Sequence, residues 1–289
     1  MDTVPIMHNA KQYRASTTGA CPMSVRNLLL IGFTLACVAA AFLLPAVPQP
    51  LAYHNFADQR SFLGIPHFNN VVSNIGFFLA GTLGLALLIR SRVRFEFMRE
   101  RWPYLVFFFG IFATALGSSY YHLAPDNDRL FWDRLPMTIT FMALVASQIS
   151  DRISVRTGLV LLVPMLLIGA LSVIYWRVTE RQGVGNVLPY AMLQAYAVLA
   201  LLFLAILQPS RYSRGSDLYW IFSWYVLSKV LETYDAEILS LSHFVSGHTL
   251  KHFAASLGGF IACYMLINRV LQHPATTADE SLKTPSTLP

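Results

Sequence analysis

Between Gly117 and Asp133 the chain reads GSSYYHLAPDNDRLFWD, placing a hydroxyl, an imidazole and a carboxylate in one short stretch. Ser118 and His122 stand four residues apart, so on a helix both project from one face. Asp133 follows eleven residues after His122, beyond a Pro-Asp-Asn-Asp segment suited to a turn, and so can fold back toward it. Far along the chain, His248 and His252 in GHTLKH repeat the four-residue spacing. Three imidazoles with a carboxylate and a hydroxyl nearby form the ligand set of a catalytic Zn²⁺ site with one open position.

The elements that must bring these pieces together are apolar. Hydrophobic residues make up 55% of the chain and charged residues 12%, far from the quarter or so of charged residues in soluble domains. The apolar residues come in runs long enough to cross a bilayer core of about 30 Å. Spans are expected at 27–47, 68–89, 103–123, 134–150, 158–176, 187–208, 217–233 and 248–271. The fold class is therefore all-α, a polytopic transmembrane bundle. Residues 1–26 and 272–289 are polar and unpatterned and are expected to be disordered tails. The first run, 27–47, is long enough to be an anchor rather than a cleaved signal peptide. Gly76, Ala80 and Gly84 form a small-residue face on the second span, and Ala255, Gly259 and Ala262 do so on the last.

The net charge of +6 does not point to nucleic acid, because the basic residues sit in short loops on alternate sides of the spans. With both termini cytoplasmic, fourteen of the 21 Lys and Arg fall inside. Five fall outside (Arg60, Arg129, Arg134, Arg177, Arg181), and Lys229 and Lys251 lie within spans. Arg90 to Arg101 alone carries five arginines against two glutamates. The same orientation puts Ser118, His122, Asp133, His248 and His252 at one depth, near the outer face. No internal repeat is visible. The three cysteines have neither metal spacing nor the pattern of a disulfide framework.

Each residue also has a plainer reading. Asp133 could cap the fourth span, Ser118 could bond a carbonyl one turn back, and Lys251 could snorkel to the interface. His54, His67 and His243 lack helical pairing and read as loop residues. A receptor-like or structural protein whose zinc only braces the bundle remains open. So does a metal-free Ser/His protease, although the Gly-x-Ser-Gly setting is missing and two histidines would go unexplained.

The pattern G-x-x-Y-Y-H…W-D-R-L-P-M, with G-H-T-L-K-H opening the last helix, resembles the alkaline ceramidase family, of the CREST superfamily of seven-span membrane metal hydrolases. The segment Phe68-Asn-Asn-Val-Val-Ser-Asn74 is similar to the start of that family's first core span. The resemblance covers roughly residues 52 to 271 and leaves 27–47 as an extra N-terminal helix. The Asp133-Arg134 pair is closer to bacterial members. The resemblance implies Zn²⁺ held by His122, His248 and His252, with Ser118 and Asp133 completing a catalytic site. It also implies an integral membrane enzyme that cleaves the amide of a ceramide- or phytoceramide-like lipid. It does not carry over the Ca²⁺ site of eukaryotic members: the loop Tyr53-His-Asn-Phe-Ala-Asp-Gln-Arg60 lacks the acidic set, and Asp58 alone makes no site.

Overall fold

The computed structural model describes residues 24–272. The tails expected at 1–26 and 272–289 fall outside them, apart from residues 24–26 and 272. Among the described residues ten α-helices run in order: α1 Val25–Leu43, α2 Phe68–Val72, α3 Ile75–Ile89, α4 Arg101–Leu123, α5 Asn127–Arg152, α6 Val155–Arg181, α7 Leu188–Leu207, α8 Asp217–Thr233, α9 Asp235–Ser242 and α10 Gly247–Asn268. Two isolated β-bridges are the extended pairing among the described residues.

Among the described residues, five stretches are long and apolar enough to cross a membrane: Phe68–Ile89, Met98–Leu123, Val155–Arg181, Leu188–Leu207 and Gly247–Asn268. Val25–Ala41 is a shorter apolar helix. The protein is thus a multi-pass membrane protein by the length and composition of its helices. α8, at 17 residues, is short for a span. α5 is more polar, and its position explains why. It packs against α4, α6 and α7, and every residue from Met142 to Arg152 is buried. A helix enclosed by protein on all sides can carry groups that lipid would not tolerate.

Local chemistry sets the helix ends. α5 begins seven residues before the expected Arg134, because Asp126 caps it by accepting from the Arg129 backbone N–H. Asp133 therefore sits inside the helix and is not its cap. Ser154 and Ser246 cap α6 and α10 in the same way. The expected second span breaks between α2 and α3, where the Asn74 and Gly76 N–H groups reach back only three residues, to Val71 and Ser73. The acidic segment after α8 forms a further short helix, α9.

Small residues bring the site-bearing helices close. A Cβ on Gly76 would stand 2.4 Å from Ser256 Oγ, and one on Gly259 would stand 3.0 Å from the Ala80 Cβ. The small faces of α3 and α10 therefore meet each other. α1 lies at the edge of the bundle, with Phe33 stacked on Tyr196 of α7 at 5.7 Å.

Candidate metal centre

His122 lies in the last turn of α4, and His248 and His252 open α10. The structure brings the three together: one ligand atom from each lies within 4.8 Å of the others, and all three side chains are buried. His122 Nε2 is 3.3 Å from His248 Nε2. Two nitrogens on a tetrahedral ion at about 2.0–2.1 Å would be separated by about 3.3–3.4 Å, so this edge already has the spacing a divalent ion requires. The residues fit a metal.

The polar break between α2 and α3 fixes one of these rings. Ser73 Oγ gives its proton to the Asn70 carbonyl at 3.1 Å and lies 2.7 Å from His252 Nδ1. Its single hydrogen is thus committed, so His252 Nδ1–H must be the donor in the second contact. That tautomer leaves the His252 Nε2 lone pair free for an ion. A neighbouring bond, from Thr249 Oγ1 to Asn70 Oδ1 at 2.8 Å, ties the same segment to α10.

Phe56 closes the cluster from the loop before α2. Its ring centroid lies 4.6 Å from that of His122 and 4.4 Å from that of His248. Asp235, the first residue of α9, holds the lid in place. It accepts from the Ala57 N–H at 2.9 Å and from the His248 N–H at 2.7 Å.

Ser118 is buried, and its side chain lies within hydrogen-bonding reach of Asp133. Gly117 makes this proximity possible. A Cβ there would stand 2.0 Å from the Trp132 carbonyl oxygen, so only glycine allows α5 to pass this close to α4. Thr114, one turn earlier on α4, donates back along the helix to the Gly110 carbonyl at 2.8 Å.

Ser118, Asp133 and His252 line a cavity of about 420 Å³. Its wall has two zones. Around Asp133 stand Arg134, Lys229, Glu232, Lys251 and Tyr53. Beyond them the cavity continues between Phe107, Ile111, Phe141, Leu144 and Leu201. Thr140 on this lower wall gives its proton to the Pro136 carbonyl of its own helix, so it faces the space as a nearly apolar group. Asp133 to Leu144 along α5 is about 16 Å at ~1.5 Å per residue, roughly half of a ~30 Å hydrocarbon core.

Lys251 does not snorkel. It pairs with Glu232 Oε1 at 2.5 Å, and Lys229 holds the other oxygen at 2.8 Å. His54 bonds Tyr121 OH at 2.9 Å and Asn127 at 3.0 Å. Phe56, Asp235, Glu232 and the seating role of Ser73 were not singled out from the sequence. Of these, only Ser73 left a signal, a run of polar residues opening an otherwise apolar span.

Helices of membrane-spanning length and a buried three-histidine cluster beside a deep cavity define a multi-pass membrane protein with a site suited to a metal ion. A family model described as Ceramidase matches residues 64–287, most of the chain, and the protein belongs to that family. A comparison with curated proteins finds no match.

Proposed function

We propose that the protein is a zinc-dependent hydrolase that cleaves the amide of an N-acylated membrane lipid, releasing a free fatty acid and a long-chain amine. Ceramide and phytoceramide are the substrates that family membership suggests. The observation that carries this reading is the cavity: Asp133, Ser118 and His252 stand at the head of an apolar shaft about as deep as one leaflet.

The imidazoles of His122, His248 and His252 would hold the ion. A divalent ion on three neutral imidazoles acidifies a water and polarises a carbonyl. The acyl chain occupies the shaft between Phe107 and Leu201, which sets the amide beside Asp133. The Asp133 carboxylate accepts the proton of the attacking water and delivers it to the departing nitrogen as the C–N bond breaks. Ser118 donates to the carbonyl oxygen as negative charge develops there, a contribution of about 2.7–4 kcal/mol in comparable sites. Phe56 keeps bulk water off the His122 and His248 rings.

Residues 52–271 form the hydrolase domain in this reading, and 27–47 an added anchor. The positive-inside rule supports placing the termini in the cytoplasm and the site near the outer face, with a bacterial inner membrane as the setting. In support, the arginine-rich segments gather at the other end of the bundle, where Arg211 bonds both Glu96 and the backbone of Asp151.

Fatty acid release from N-acyl lipids by the purified protein tests the proposal. Wild type should release it, and Asp133→Asn should retain its zinc while losing about 10²–10⁴-fold in rate. Equal, background-level release from both would leave the zinc only a brace.

A further inference from the structure

The cavity runs deeper along α7 and α8 than along α4 and α5. On α5 its wall ends at Leu144 and on α4 at Phe107, each eleven residues from Asp133 or Ser118 at the head. On α7 the wall continues from Tyr190 to Ala205, and on α8 from Glu232 to Leu218. The upper ends of both runs stand level with the site. Tyr190 faces the Arg134 guanidinium, which lies 4.8 Å from its ring centroid, and Glu232 pairs with Lys251, next to His252. Fifteen and fourteen residues at ~1.5 Å each put the lower ends about 22 and 21 Å below that level. Two helices measured independently give one depth.

The lower ends are fastened to each other. The Tyr219 hydroxyl donates to the Ala205 carbonyl at 3.2 Å. Just beyond, the guanidinium of Arg152 spans the same gap: Nη1 donates to the Gln208 carbonyl at 2.8 Å and Nη2 to the Gly215 carbonyl at 2.7 Å. Arg152 is itself buried, and its Nε is held by Gln148 Oε1 at 3.0 Å. An alkyl chain cannot continue downward without stripping a buried charge of its partners, which is strongly unfavourable. The shaft therefore has a floor.

We propose that this floor, formed by Leu218 and Tyr219 of α8 and Ala205 of α7, makes the shaft a ruler for the acyl chain. The inference rests on the hydrolase reading and adds the length of acyl group that the site takes. An extended chain advances about 3.3–3.6 Å over three backbone bonds, so a depth of about 21–22 Å holds roughly 17–19 bonds, an acyl group of about eighteen carbons. Transfer out of the bilayer supplies no preference for length, because a lipid tail is already as apolar a setting as the leucines of the shaft. Fit supplies it. A shorter chain leaves wall atoms without contacts, and a longer one meets the floor and must bend.

Binding and turnover test the ruler separately. For binding, the full-length zinc-loaded protein in nanodiscs is given uncleavable ketone isosteres of N-acylethanolamines, with methylene in place of the amide N–H and acyl groups of 12, 18 and 24 carbons. Affinity is expressed per mole fraction in the bilayer, so that partition from water drops out. The 18-carbon ligand should bind about tenfold more tightly than the 24-carbon one, and more tightly than the 12-carbon one. Equal affinity for 18 and 24 carbons in wild type, a measurement that needs no variant, overturns the inference, because the chain then leaves between α7 and α8 for the bilayer. Ala205→Phe should raise the floor and move the optimum to shorter chains. Tyr219→Ala should open it and bring the 24-carbon ligand toward parity with the 18-carbon one. Loss of folded protein cannot produce shifts of opposite sign, and an optimum that neither variant moves would overturn the role of these residues. For turnover, the parent amides are compared by fatty acid release. Cleavage of all lengths alike would overturn the ruler and leave the hydrolase standing. An 18-carbon optimum in binding with no amide cleaved would do the reverse.

Discussion

The bundle buries charge at both ends, and the two ends dispose of it differently. At the arginine-rich end, Glu96, Glu100 and Asp151 face Arg152 and Arg211, and Arg269 is held over the rings of Phe95, Tyr104 and Tyr212. Arg211 bridges Glu96 at 3.0 Å and Glu100 at 3.3 Å. Arg152 is spent on Gln148 and on the carbonyls of Gln208 and Gly215. Asp151 accepts from Ser210 and from the Arg211 backbone N–H. At the histidine end the acids are otherwise placed: Glu232 is shared by Lys229 and Lys251, Asp235 is spent on the Ala57 and His248 backbone N–H groups, and the ring nitrogens of His122 and His248 face each other at 3.3 Å. A bonded cluster such as that around Arg211 and Asp151 rigidifies a fold by itself. Three imidazoles gathered beside a cavity suit an ion that arrives.

Mutations should separate the two ends cleanly. His252→Ala should abolish stoichiometric zinc, read by elemental analysis of purified protein, while the bundle still folds. Arg211→Gln should do the opposite. Removing one member of a buried ion cluster typically costs about 3–5 kcal/mol, so its thermal midpoint should fall well below that of wild type while zinc per folded molecule stays at one. If Arg211→Gln loses zinc, or His252→Ala unfolds the protein, the division is wrong.

A smaller effect is expected at the α4–α5 crossing. Gly117→Ala drives a methyl into the Trp132 carbonyl, and overpacking of this kind costs about 1–3 kcal/mol. Because the displaced segment carries Asp133, lipid hydrolysis should fall by more than stability alone explains. Gly258→Ala is the control. Its Cβ would meet Ile221 Cγ2 at 3.6 Å, an ordinary contact, and should leave both stability and rate near wild type. Ser73→Ala comes next: losing the acceptor that orients His252 should weaken zinc affinity about 10–100-fold, read by chelator competition, with little change in melting.

These cases also show what the sequence could and could not disclose. The pairs Ser118/His122 and His248/His252 were legible because helical spacing alone puts each on a common face, and the structure brings the three histidines together. The position of Asp133 inside α5 was not, because Asp126 and Asp133 are equally good caps and only the tertiary fold chooses between them. The fate of Lys251 was not legible either. Its partner Glu232 lies on another helix, and no periodicity within α10 announces it. Phe56 lay in a loop whose course is set by Asp235, and a phenylalanine in an apolar chain carries no signal of its own.

The mildest test concerns the loop that carries Phe56. Asp58, buried in that loop, accepts from Arg60 Nε and Nη2 at 2.7 Å each and from Asn69 at 2.8 Å. Arg60 in turn donates to the carbonyls of His243 and Phe244, so the pair fastens the loop to the segment before α10. The Arg60 bond holds the Asp58 carboxyl below its ordinary value against the opposing effect of burial. A carboxyl lowered in the folded state adds stability that is complete above its unfolded pKa of about 3.9. That stability is lost as the pH falls through the lower folded value. Arg60 is half-exposed, so the contribution is small. The midpoint of wild type should therefore exceed that of Asp58→Asn by a nearly constant margin from pH 7 to about 5, and the margin should shrink below about pH 4. A margin that stays flat or widens on acidification would mean that the loop is fastened by something other than this ion pair. The Phe56 lid would then depend on Asp235 alone.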